Sequence, residues 1–126
     1  MKIESIIDKI NYRIWKIIIE KKVEMPQIIL KEKSKEAGTL GIEVKGEAIQ
    51  IFLPEHENDE REIINTVVHE IVHYYLDIQG FEESNQHGPI FQEFMQKIFD
   101  EPAIWREIQI KPYYNLESKK ENTQGE

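Results

Sequence analysis

The 126-residue sequence contains no cysteine. Disulfide bonds, zinc ribbons built on cysteine thiolates and a cysteine nucleophile are therefore excluded together. Long apolar runs are also missing, because charged residues interrupt the hydrophobic N-terminal stretch every few positions. The sequence thus shows neither a signal peptide nor a membrane span, and we expect a single cytoplasmic domain with no membrane partner.

Basic residues are outnumbered, with 16 Lys and Arg against 24 Asp and Glu and a net charge of −8. Residues 51–126 carry most of the excess, with six basic and sixteen acidic residues. Attraction to phosphate dominates non-specific nucleic-acid affinity, so we expect weak or indirect nucleic-acid binding at most. One stripe on the predicted first helix, Lys9, Arg13 and Lys16, is either a solvated face or a small basic contact surface.

Histidine is scarce as well, and three of the four copies fall between positions 69 and 87. Two of them belong to the segment His69-Glu70-Ile71-Val72-His73, where apolar residues recur at helical spacing. Residues i and i+4 share one face of a helix, so His69 and His73 can present two imidazoles to one ion. This is the H-E-x-x-H pattern, in which Glu70 is suited to act as a general base.

A catalytic zinc site needs a third protein ligand and one open position. His87 follows His73 by 14 residues and would reach the site from the start of the next helix, after the chain turns back at Gly80. Glu93, 20 residues after His73, has the spacing of an alternative carboxylate ligand on that helix. Sequence spacing alone leaves both candidates open.

The remaining pattern predicts an α+β fold with a small, mostly antiparallel sheet. The predicted elements are a helix over 3–21, strands over 27–31, 39–44 and 47–53, the motif helix to about Gln79, a helix that starts at Pro89 and ends before Pro102, and a last strand or short helix over 104–110. Either Asn58 or Asp59 can cap the motif helix, and Asp59 with Glu62 fits a capping box. Lys45-Gly46 is the predicted hairpin turn, His56 is interpreted as a solvated loop residue, and residues 115–126 as a disordered tail.

The motif HEIVHYY followed by HGPIFQEFM resembles the SprT-like zinc metalloproteases, the Spartan-type family. Their mark is H-E-x-x-H followed by His-Gly-x-x-Phe, which His87-Gly88-Pro89-Ile90-Phe91 matches, and the resemblance covers about Ile63 to Ile98. It implies a minimal zincin-like core over residues 1–114, with an N-terminal helix, a sheet, the motif helix and a third-ligand helix. It also implies one Zn²⁺ per chain held by His69, His73 and His87, with Glu70 as the general base.

The function that this resemblance implies is hydrolysis of peptide bonds in protein substrates by a zinc metalloendopeptidase. Many members carry a cysteine zinc ribbon or a basic region after the core, and this sequence has none, so we expect a minimal version. The alternative is a non-catalytic, zinc-containing module that binds protein or associates with DNA. The sequence does not exclude Mn or Co in place of zinc. Tyr12, Tyr113 and Tyr114 are candidate oxyanion donors by residue type, and the sequence does not select among them.

Overall fold

Helices and three short strands follow one another in the computed structural model, which describes residues 2–19, 25–31, 41–44, 48–52, 59–80, 87–108 and 110. The elements are α1 (Ile3–Arg13), a π-helical segment (Ile14–Ile19), β1 (Gln27–Lys31), β2 (Gly41–Val44), β3 (Ala48–Phe52), α2 (Glu60–Ile78), α3 (Pro89–Asp100) and α4 (Pro102–Trp105). The predicted α+β class is confirmed. The hairpin turn at Lys45-Gly46, the loop residue His56 and the tail over 115–126 lie outside the described residues.

The motif helix α2 has the boundaries that the sequence predicts. The Asp59 carboxylate accepts hydrogen bonds from the backbone N–H groups of Arg61 at 3.0 Å and Glu62 at 3.4 Å, which satisfies donors that an α-helix leaves free at its start. The helix ends at Ile78 with Gln79 as its C-cap, and Gly80 follows with a φ of 81°, in the left-handed region that glycine adopts at little cost. Twelve of the nineteen residues of α2 are buried, so this helix is the centre of the core.

Two other helices and the sheet cover α2. The buried face of α1 contributes the isoleucines Ile6, Ile7 and Ile10, and the buried face of α3 contributes Met95 and Ile98. Burying each such side chain stabilises the fold by roughly 1.5–3 kcal/mol before entropy is counted. β2 and β3 pack against α2 as well, so the helix that carries the motif is held from several directions.

The first helix is not the uninterrupted α-helix that the sequence predicts. It is α-helical to Arg13 and then continues as a π-helix to Ile19. In a π-helix the hydrogen bonds run from i to i+5, so residues five apart share a face. Ile14 and Ile19 are accordingly buried, whereas Ile17, which the 3.6-residue period places on the apolar stripe, is only half-buried.

The sheet is mixed, and the expectation of a mostly antiparallel sheet is wrong. Its strand order is β1-β3-β2, in which β3 runs antiparallel to β2 but parallel to β1, and the parallel pairing is the longer of the two. The reason is that β3, not β2, takes the centre of the sheet. β3 carries Ile49 and Ile51, both completely buried, and it pairs with both of its predecessors, parallel to β1 and antiparallel to β2.

The C-terminal helix α4 packs beside α1 through the side chain of Arg13. Nη1 of Arg13 donates to the carbonyl oxygens of Ile104 at 2.9 Å and Arg106 at 2.7 Å. A helix end leaves carbonyls without intrahelical donors, and Arg13 supplies one. The region predicted as a last strand or short helix over 104–110 is thus a short helix that begins earlier, at Pro102, and ends at Trp105. Among the described residues, no helix combines the length and apolar character needed to cross a membrane.

Candidate metal centre

Three imidazole rings converge where α2 faces the beginning of α3. The Nε2 atoms of His69 and His73 lie 3.1 Å apart, those of His73 and His87 3.0 Å apart, and those of His87 and His69 3.1 Å apart. The three nitrogens therefore form a nearly equilateral triangle. Within the described part of the chain, these histidines are the group whose side chains could hold a metal ion together.

α2 supplies two of the three rings through its own periodicity. His69 and His73 are one turn apart on this helix, with ring centroids 4.7 Å from each other. His69 is buried, while His73 and His87 are half-buried. The cluster thus lies at the boundary between the core and the surface, which leaves one side of it accessible from solvent.

His87 comes from a turn and not from a helix. It has a φ of 51°, in the left-handed region, and is followed by Gly88 as the N-cap and Pro89 as the first residue of α3. Histidine adopts this region more readily than most residues, but the left-handed conformation still costs on the order of 1–2 kcal/mol for an L-residue. The sequence predicted His87 at the start of a helix but gave no sign of this backbone conformation.

Phe91 packs against all three imidazole rings of the cluster. Its ring centroid lies 5.0 Å from that of His69, 4.7 Å from that of His73 and 4.7 Å from that of His87, and its side chain is completely buried. The sequence places Phe91 in the His-Gly-x-x-Phe pattern but does not indicate that its ring contacts all three imidazoles. The available signal was that pattern, which places Phe91 in the first turn of α3, directly after His87 and its N-cap Gly88.

The donor set fits a metal ion. Nitrogens bound to a tetrahedral zinc at about 2.0–2.1 Å stand roughly 3.3 Å from one another, and the observed sides of 3.0–3.1 Å are close to that value. A triangle of Nε2 atoms also cannot be satisfied by mutual hydrogen bonding alone, since a neutral imidazole nitrogen is either a donor or an acceptor. A cation at the centre would accept all three lone pairs, and imidazole is a ligand that zinc and several other transition metals favour.

The remaining predicted site residues fall in different places. Glu70 follows His69 on α2 and is 8% exposed, which is unusual for a carboxylate and costly without partners. Glu93, the alternative third ligand, is exposed on α3 and does not belong to the histidine cluster. Tyr12 is 52% exposed, and its hydroxyl accepts a hydrogen bond from Lys16 at 3.1 Å on the outer face of α1. Tyr113 and Tyr114 lie outside the described residues.

The fold is α+β, with two histidines on one helix and a third just before the next helix. Together these three histidines could hold a metal ion. The chain belongs to the SprT-like family, whose family model matches residues 20–114. This range contains the three histidines and Glu70 but not α1, which lies ahead of it. No match was found among curated proteins or among solved structures.

Proposed function

We propose that this protein is a zinc-dependent metallopeptidase that hydrolyses peptide bonds in protein substrates. The observation that carries the proposal is the convergence of His69, His73 and His87, with Nε2 atoms 3.0–3.1 Å apart, beside the buried Glu70, which follows His69 on α2. Membership of the SprT-like family supports it. The zincin-like description of the core is part of the same proposal.

Each residue of the site has a distinct task in this reaction. His69, His73 and His87 would hold the ion through Nε2, which would leave each Nδ1–H for an outer partner that fixes the ring orientation. A bound zinc supplies Lewis acidity, which activates water and polarises the scissile carbonyl. Glu70 accepts a proton from the attacking water and delivers it to the leaving amine. A buried carboxylate suits that task because few competing waters surround it.

The edge of the sheet offers a place for the substrate. Among the described strands, β2 lies at one edge, and both β2 and β3 pack against α2. An extended peptide that pairs with an edge strand gains backbone hydrogen bonds without requiring a particular sequence. We therefore propose that substrate adds along β2, next to the helix that carries Glu70.

The alternative, a non-catalytic module that binds protein or associates with DNA, has less support. A site that only stabilises the fold has no need of a buried carboxylate between its ligands. The basic stripe of Lys9, Arg13 and Lys16 also loses its middle member, because Arg13 is engaged with the carbonyls of Ile104 and Arg106. We propose weak, salt-sensitive nucleic-acid binding at most.

The test of this function is Glu70→Gln, with Glu93→Gln as the matched control on an exposed glutamate. Glutamine keeps the shape of the side chain but cannot accept a proton at neutral pH, so hydrolysis of an unfolded protein substrate should fall by roughly 100- to 10,000-fold. Zinc content, measured by elemental analysis, should stay near one per chain in both variants. Glu93→Gln should leave the rate unchanged.

Two results would contradict the proposal. Equal rates for wild type and Glu70→Gln would remove Glu70 from the role of base. A wild-type protein that binds zinc but cleaves no substrate would favour the non-catalytic module instead.

A further inference from the structure

The left-handed backbone conformation of His87 is unfavourable and needs contacts that stabilise it. Gly88, the N-cap of α3, has no side chain to form a cap, and Pro89 has no N–H. The carbonyl of Gly88 accepts the first hydrogen bond of the helix, from the backbone N–H of Gln92 at 3.0 Å. The carbonyl of His87 lies one residue further out, ahead of this first backbone hydrogen bond of α3.

The side chain of Gln92 reaches back to the carbonyl of His87. Its Nε2 donates to the carbonyl oxygen of His87 at 3.2 Å, while its own backbone N–H begins the helix at Gly88. One residue in the first turn of α3 therefore makes two bonds to the two residues that precede the helix. The adjacent residue, Phe91, contacts the imidazole of the same histidine.

We propose that Gln92 is a positioning residue for the metal site, and that its side-chain amide fixes the peptide between His87 and Gly88 so that the His87 imidazole meets the two rings of α2. This inference rests on the proposed metal site. The backbone torsions of His87 set the direction of its side chain, and the backbone of this residue is strained. Functional groups must be held to within about 0.5 Å and 10–20° for a site to act, which a free turn does not achieve.

The experiment measures the zinc dissociation constant of the full chain by competition with a chromophoric chelator, in wild type and in Gln92→Met and Gln92→Ala. Both variants remove the donor, and both residues are good helix formers, so α3 should persist. We expect zinc affinity to fall by about tenfold, the lower end of the loss seen when an outer partner of a metal ligand is removed. The matched control is Gln96→Met, since Gln96 is an exposed glutamine one turn along α3 whose amide donates to Asp100 at 2.9 Å. It should leave zinc affinity unchanged.

A double-mutant cycle separates positioning from a general effect on folding. In a His87→Ala background the third ring is gone, so Gln92→Met should no longer change zinc affinity, although its effect on thermal stability should remain. The inference is overturned if Gln92→Met binds zinc as tightly as wild type, or if it weakens zinc binding equally with and without His87. A wild-type protein that takes up no zinc would instead overturn the proposed function, and the inference with it.

Discussion

The two halves of the histidine cluster are built in different ways. His69 and His73 lie in the middle of a long, mostly buried helix, where their spacing follows from the helix geometry itself. His87 stands alone in a turn, with a φ of 51°, and is held by Gln92 and Phe91 from the helix that follows. A pair of ligands can thus be specified by periodicity alone, whereas the third depends on a particular backbone conformation and on the contacts that support it.

The largest expected effect comes from removing a ligand from either half. His73→Ala and His87→Ala should each weaken zinc binding by on the order of 100- to 1,000-fold, since each takes away one of three ligands and the apparent binding energy of a complete zinc site is large. Glu93→Ala is the control and should bind zinc like wild type. If Glu93→Ala lost the metal while His87→Ala kept it, the assignment of the second half of the site would be wrong.

An intermediate effect is expected at the residue that links the halves. Phe91→Leu keeps an apolar side chain of similar size but loses the flat ring that contacts all three imidazoles, so zinc affinity should fall by about tenfold. The free energy of unfolding of the metal-free protein should fall by about 1–2 kcal/mol, measured by urea denaturation. Phe99→Leu is the matched control, because Phe99, also on α3, stacks on Trp105 of α4 with ring centroids 5.3 Å apart, and its replacement should alter stability only. If zinc affinity fell equally in both variants, the Phe91 ring would contribute no more to zinc binding than the Phe99 ring.

The smallest expected effect concerns the backbone conformations at His73 and His87. Glycine within a helix is unfavourable, so His73→Gly should lower the stability of the metal-free protein by about 1 kcal/mol. His87→Gly replaces a left-handed histidine with the residue that suits this conformation, and the lost strain should offset the lost ring contacts. Its stability should therefore exceed that of His73→Gly by about 1 kcal/mol in thermal or urea unfolding. An equal loss in both variants would show that the turn at His87 carries no strain.

The sequence predicts the regular parts of this protein well. The motif helix, its cap at Asp59, its end near Gln79 and the strand over 27–31 all follow from local patterns. The structure has the cap and the strand at those positions and ends the helix at Ile78, with Gln79 as the C-cap. Local signals act over a few residues, and these elements depend on little else. The same holds for the spacing of His69 and His73.

The parts that the sequence does not reveal depend on distant contacts or on single torsions. The parallel pairing of β1 with β3 is a choice between partners, which apolar alternation does not encode. The π-helical segment breaks a period that the isoleucines of α1 establish. The hydrogen bond from Gln92 to the His87 carbonyl depends on one torsion angle in one turn, and neither residue type predicts it.

The bonds from Arg13 to α4 bear on the order in which the chain can fold. They join positions 91 and 93 residues apart, whereas the two histidines of α2 are separated by four. Contacts between such distant residues close nearly the whole domain into one loop and form late when local structure forms early. A nascent chain that has emerged only as far as α3 already contains all three histidines but lacks the carbonyls that secure α1. The site can thus be complete in sequence before the N-terminal helix is fixed to its last partner.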